Sequence, residues 1–302
     1  MLDQLKIGNL TNILTCLFSE KRLTKAQLVR LTGLSNSTVS SAVNSLLKLK
    51  LLVGDGYGES IGGRRSEIYR LNKAYGRFIG VDMCANGFYV VVTDCENTVL
   101  TQFFELYDNR VPKIHFLLGV LEKVIKQFPG VLGIGIGLAA HIDFSEQIVI
   151  DCPDVCWSQV HLKEIIERHF MIFTYIDHRV NAAAIREGLV GYAADIKNYL
   201  FFYENSPDKA ALVLNGGICR GHTNYNGKWE DSYGLTGKVR LLSELFDVER
   251  IFIAYKTQAY KAQWKNDLPQ SVVCFEAKKN MCALGAAAVV QKEWFRSIYF
   301  ML

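Results

Sequence analysis

Apolar positions recur at helical spacing through the first 70 residues, separated by short polar turns. Leu10, Ile13, Leu14 and Leu17 stand three and four apart within Ile7–Leu17, which predicts a helix with one buried face. Thr24 stands as N-cap of a second helix with Leu28 and Leu31 turned inward. Gly33 ends that helix, and Ser35 caps a third carrying Val39, Val43, Leu46 and Leu47. After Lys50 the period changes. Leu51-Leu52-Val53, a glycine-rich loop reaching Gly63-Arg64-Arg65, and Ile68–Leu71 predict a strand, a flexible loop and a returning strand. Three helices followed by a hairpin make a winged helix-turn-helix arrangement over residues 1–72.

From Phe78 the pattern becomes α/β. Apolar strands are expected at Phe78–Met83, Phe88–Thr93, Val99–Phe104, Val131–Leu138, Met171–Ile176, Asn198–Tyr203, Ala210–Leu214, Arg250–Ala254 and Val272–Phe275. Helices are expected at Ile114–Gln127, Leu162–Phe170, Val180–Tyr192 and around Ala283–Ala288. Strands alternating with crossover helices, and glycines at strand ends, imply a two-lobed body with a cleft over residues 73–302.

The chain of 302 residues is 50% hydrophobic and 21% charged, which excludes a disordered or fibrous protein. Its net charge of +4 is unevenly spread: residues 1–75 hold eleven Lys or Arg against five Asp or Glu, a surplus of six, and the remainder is slightly acidic. A basic N-terminal quarter carrying a helix-turn-helix pattern points to double-stranded DNA. Within the third helix, Ser35, Asn36, Ser37, Thr38, Ser40, Ser41 and Asn44 form the outward polar face that can enter a major groove. Thr24, Arg64 and Arg65 lie where phosphate or minor-groove contacts are made. One short helix reads few base pairs, so a homodimer on a palindromic operator is expected. Eight scattered cysteines fit a reducing cytoplasm, and neither a membrane span nor a cleaved leader is expected.

Several of these segments together resemble the ROK family of sugar kinases and transcriptional repressors. They are Leu34–Ser40, Gly63-Arg64-Arg65, Gly80-Val81-Asp82, Gly133-Ile134-Gly135-Ile136-Gly137, Asp151-Cys152-Pro153 with Trp157, Val180–Ala184, Gly216-Gly217-Ile218 and Leu284–Ala287. The resemblance implies a winged helix joined to an actin/hexokinase-like, ribonuclease H-like body. It also implies regulation of carbohydrate-related genes.

The departures from the family pattern bear on chemistry. Family kinases carry an Asp as general base just before Asn-Ala-Ala-Ala, whereas Asp177-His178-Arg179 here puts Arg179 in that place. A guanidinium cannot accept the sugar's proton. Cys84-Ala85-Asn86 stands where kinases have Gly-Gly-Thr, and the family's zinc motif is missing beyond Gly234. No catalytic residue, metal or cofactor is therefore expected. His141, Asp143, His178, Arg179, Asn181 and Lys238 resemble the family's ligand cleft, which implies a sugar or, since Arg and Lys favour an anion, an anionic sugar derivative as effector. A cleft that has lost its ligand is the rival to that reading. The expected function is a DNA-binding repressor with an inactive kinase-like body; the alternative is a divergent sugar kinase with an appended DNA-binding domain. Cys152 and Cys156 are expected to be buried small apolar groups.

Overall fold

The structure, a computed structural model, describes residues 2–58, 65–203, 210–222, 235–255 and 271–298. The N-terminal unit contains helix α1 (Leu2–Glu20), strand β1 (Leu23–Thr24), helices α2 (Lys25–Thr32) and α3 (Asn36–Lys48), and strands β2 (Leu52–Tyr57) and β3 (Glu67–Leu71). The strands form one antiparallel sheet in the order β1-β3-β2. Ile13, Leu14, Leu17, Leu28, Val39, Val43 and Leu46 are all fully buried. Leu31, expected to face inward, is exposed instead, because α2 has only two turns and turns Leu28 alone to the core. The second strand also runs on through Gly54-Asp55-Gly56, which the sequence pattern assigns to a loop. Asp55 is held there by Arg22 at 2.5 Å and Arg70 at 3.1 Å, and the register shifts between Gly54 and Tyr57.

The body is built twice on one plan. The first half runs β4 (Arg77–Met83), β5 (Gly87–Asp94), β6 (Val99–Leu106), α4 (Lys113–Gln127), β7 (Val131–Leu138), β8 (His141–Asp143), β9 (Ile148–Cys152), β10 (Trp157–Val160), α5 (Leu162–Phe170), β11 (Phe173–His178) and α6 (Arg179–Val190). The second runs β12 (Tyr199–Tyr203), β13 (Ala210–Leu214), β14 (Gly217–Ile218), α7 (Leu235–Phe246), β15 (Arg250–Tyr255), β16 (Val272–Glu276) and α8 (Met281–Ser297). Their five-stranded sheets have orders β11-β7-β4-β5-β6 and β16-β15-β12-β13-β14. Each combines a three-strand antiparallel meander with two parallel crossover strands. The small sheet β10-β9-β8, inserted in the first half, is too short and polar to show in the hydrophobic pattern.

Helices α6 and α8, which close the two halves, pack on each other, and α8 lies on the first sheet. The glycines of the sequence motifs permit this approach. A Cβ on Gly80 or Gly135 would overlap the carbonyl oxygens of Ala283 or Ala286 of α8, and one on Gly285 would overlap the Ala182 backbone of α6. At Asn72–Tyr75 the chain turns, beside the expected division at residue 72, but the core does not divide there. Leu10, Ile13 and Leu17 share one buried cluster with Phe78, Leu189, Trp294 and Phe295, and Phe18 meets Phe295 edge to face at 6.3 Å. Across the polar surface, Arg70 reaches Glu96 of the body at 3.0 Å and Lys21 donates to the Glu96 carbonyl at 2.7 Å.

Candidate functional site

Two regions concentrate polar chemistry. The first is the outer face of α3. Ser35, in extended backbone, accepts a hydrogen bond from the Thr38 amide at 3.1 Å, and its hydroxyl also bonds those of Ser37 and Thr38. This satisfies donors that the first turn of a helix leaves unpaired. With Val39, Val43 and Leu46 buried, Asn36, Ser37, Ser41 and Asn44 are left exposed, and Thr38 and Ser40 lie at the margin. Thr24 caps α2 in a reciprocal arrangement with Gln27. The Lys25 ammonium, placed over the Tyr69 ring, donates to Asn44 Oδ1 at 3.4 Å. Arg65 is exposed, and Arg64 lies outside the described residues.

The second region lies where the two halves meet, at the start of α6. Asp82 lies near the end of β4 and Arg179 begins α6; Arg179 Nη2 donates to Asp82 Oδ2 at 2.6 Å, with Arg179 6% and Asp82 1% exposed. The same nitrogen is 3.2 Å from Cys84 Sγ. Burial alone pushes the guanidinium pKa down; the Asp82 carboxylate, with Cys282 and Cys84 beside it, reverses this and leaves it raised. Arg179 is thus a permanent cation bound to its own counter-ion. One turn of chain away, Asp177 is buried and accepts from the His178 amide at 2.7 Å, from Asn181 Nδ2 at 3.0 Å and from both terminal nitrogens of Arg220 at 3.0 and 2.7 Å. Arg220 follows β14 of the second half. Its guanidinium also stacks 3.7 Å from the ring centre of Phe144, just after β8 of the first half.

The chain matches the ROK family over residues 78–229. It belongs to the ROK family. It is 29% identical over 212 residues to the xylose repressor of Bacillus subtilis strain 168, an alignment covering 68% of this chain and 55% of that one. With the xylose repressor of Caldicellulosiruptor bescii it shares 26% identity over 231 residues, covering 74% and 58%. The ROK chain therefore spans somewhat over half the length of these relatives. Among solved structures, a ROK family transcriptional regulator described as a homologue of the E. coli MLC protein superposes with a TM-score of 0.77 at 14% identity, covering 98% of both chains. A ROK family glucokinase from Streptomyces griseus, in complex with glucose and AMPPNP, superposes with 0.59 at 14% identity over 72% of this chain and all of that one. These likenesses establish the actin/hexokinase-like α/β fold of the body.

In this ROK chain, the five described side chains of the six expected to line a ligand cleft do not form one open surface. His178 is buried, and its Nδ1 accepts from the Val180 amide at 3.2 Å, capping α6. Asn181 is buried against Asp177. His141 and Asp143 lie on β8 beside β11, half-buried. Asp143 turns to the Ser145 hydroxyl and the amides of Glu146 and Ser145, which hold its pKa below the ordinary carboxylate range. Lys238 is on α7, with its side chain outside the described residues.

Arg179, expected to favour an anionic ligand, is held by Asp82. Asp82 pairs with Arg179, and Asp177 with Arg220. Sequence reasoning missed Arg220 and Phe144, which lie far apart in the chain and carry no motif. Cys156 is also corrected: Cys152 is buried, but Cys156 is exposed at the left-handed end (φ 58°) of the turn Pro153–Val155. No described helix is long and apolar enough to cross a membrane.

Proposed function

We propose that this protein is a DNA-binding transcriptional repressor of the ROK type, controlling carbohydrate-related genes, with a body that does not transfer phosphate. One observation carries the reading: a capped helix, α3, turns a polar face outward beside the antiparallel strands β2 and β3, an arrangement we read as a winged helix-turn-helix. Names of the ROK relatives support repression, and their sugar supports a carbohydrate theme. In this reading Asn36, Ser37, Ser41 and Asn44 meet base edges in a major groove. Ser35 and Thr24 hold the helix ends, Thr38 and Ser40 lie at the groove margin, and Lys25, Arg64 and Arg65 meet phosphates. The unit is residues 1–72, the body is residues 73–302, and two copies read a palindrome.

Phosphoryl transfer is disfavoured because the atom at the base position is a guanidinium nitrogen already bound to Asp82. The effector proposed is a neutral sugar, since among the described residues Arg179 and Arg220 are each already paired with a carboxylate. Selection of bound duplexes from a random pool, followed by affinity at several salt concentrations, tests the reading. A two-fold symmetric site, bound more weakly as salt rises and without sequence preference in Asn36→Ala, is the expected result. Turnover of Mg-ATP with any of a panel of hexoses and pentoses overturns it in favour of the kinase alternative.

A further inference from the structure

We infer that Arg220 is a ligand-displaceable latch between the two halves of the body, and that a neutral polyhydroxyl ligand signals to the N-terminal unit by taking Asp177 from it. Arg220 is carried by the second half, whereas Asp177, Tyr175 and Phe144 belong to the first. It therefore joins the two halves with a two-point ion pair and a stacked ring, the geometry that makes an arginine directional.

The two arginines of this region differ in their freedom to leave. Arg179 is 6% exposed, so removing it from Asp82 strands charges in the interior. Arg220 is 23% exposed and can swing into water with its charge hydrated. The carboxylate it vacates keeps the His178 amide and Asn181 as donors. Two adjacent hydroxyls of a sugar can supply the two donors that the guanidinium withdraws, so a neutral diol matches the exchange. An anion would place a second negative charge beside Asp177.

The displaced pair has a mechanical consequence. Asp177 stands next to His178, the cap of α6, and binds the first turn of that helix through Asn181. Leu189 near the other end of α6 lies in the same buried cluster as Leu10, Ile13 and Leu17 of α1. Alongside, Gly285 holds α8 in backbone contact with α6 at Ala182, and Phe295 of α8 meets Phe18. A shift at the head of α6 reaches α1 through packed groups without crossing a flexible linker, and interiors at this density move as units.

Coupling to DNA rests on the repressor reading above, but the latch itself does not, and the experiment separates them. Hydrogen exchange is followed by mass spectrometry on the full chain, without DNA, for wild type, Arg220→Met and Arg220→Lys. Met keeps a stem against Phe144 and removes the charge. Exchange across residues 175–182 is expected to accelerate at least tenfold in Arg220→Met and less in Arg220→Lys. D-xylose and D-glucose are then added. At least one of them should accelerate exchange across residues 217–222 in wild type and leave Arg220→Met unchanged.

Equal exchange in all three proteins overturns the latch, and no response of wild type to either sugar overturns its displacement by ligand. The operator found by selection supplies the second arm: the active sugar should weaken wild-type binding at least tenfold and Arg220→Met binding less than twofold. A sugar response retained in full by Arg220→Met overturns the signalling role. A wild type that shows both exchange effects but binds no duplex overturns the DNA reading and leaves the latch standing.

Discussion

Replacing Arg179 by Met deletes one half of an ion pair whose members are 6% and 1% exposed and 2.6 Å apart. The remaining Asp82 can stay ionised without Arg179 or take up a proton. Breaking a buried pair in this way costs about 3–5 kcal/mol. Protonation sets a ceiling: from an unfolded pKa of about 3.9, neutralising a carboxyl at pH 7 costs about 4 kcal/mol, at 1.36 kcal/mol per unit. The deficit is therefore about 4 kcal/mol at pH 7 and about 2 kcal/mol at pH 5.5.

The sign follows from proton binding. In the variant the folded state holds a proton on Asp82 that the unfolded state has released, so stability rises as pH falls towards the unfolded carboxylate pKa. Urea denaturation of wild type, Arg179→Met, Asp82→Asn and the double variant, at pH 7 and 5.5, measures this directly. The double variant should recover at least half of the single-variant loss and show no excess pH dependence, since it buries no lone charge. An Arg179→Met protein within about 1 kcal/mol of wild type at pH 7 would refute a counter-ion role for Arg179, as would a deficit independent of pH.

Ser35→Ala removes the cap of α3 and should lower stability by about 1 kcal/mol, whereas Asn36→Ala, exposed and outside the core, should show its loss only in duplex binding. Gly285→Ala drives a methyl into the Ala182 backbone and should cost about 1–3 kcal/mol by thermal melting. Gly8→Ala, on an exposed helical position with open space around it, should gain up to about 1 kcal/mol. Burial pushes the thiols of Cys95 and Cys152 up to about 12 and about 11, while Cys156 is exposed. Iodoacetamide at pH 8 should then modify Cys156 and spare the other two in the native protein. Because the buried thiols hold their protons longer when folded, stability should fall as pH rises from about 9 towards 12, read as a declining urea midpoint.

The apolar period of the chain was enough to locate α1, α3 and α4, because an amphipathic helix writes its buried face into neighbouring residues. Ser35 and Thr24 were legible as caps for the same local reason, and the central strands of both halves showed as continuous apolar runs. Glycines 80, 135 and 285 were visible as motifs, but their purpose, backbone contact between α8 and its neighbours, needed the packed helices. Gly54–Tyr57 read as a loop because its strand pairing depends on Arg22 and Arg70 gripping Asp55 from other elements.

The site residues divide along the same line. Local sequence was sufficient for the polar face of α3, a property of residue type and spacing, and the family resemblance was needed to place Arg179 where kinases carry a base. Whether Arg179 offers its charge to a ligand depended on Asp82, 97 positions away, and the Arg220–Asp177 pair joins residues 43 positions apart from opposite halves of the body. Charge in a folded protein is balanced by whatever the fold brings within a few ångströms, and only the packing of the two halves decides which carboxylate that is.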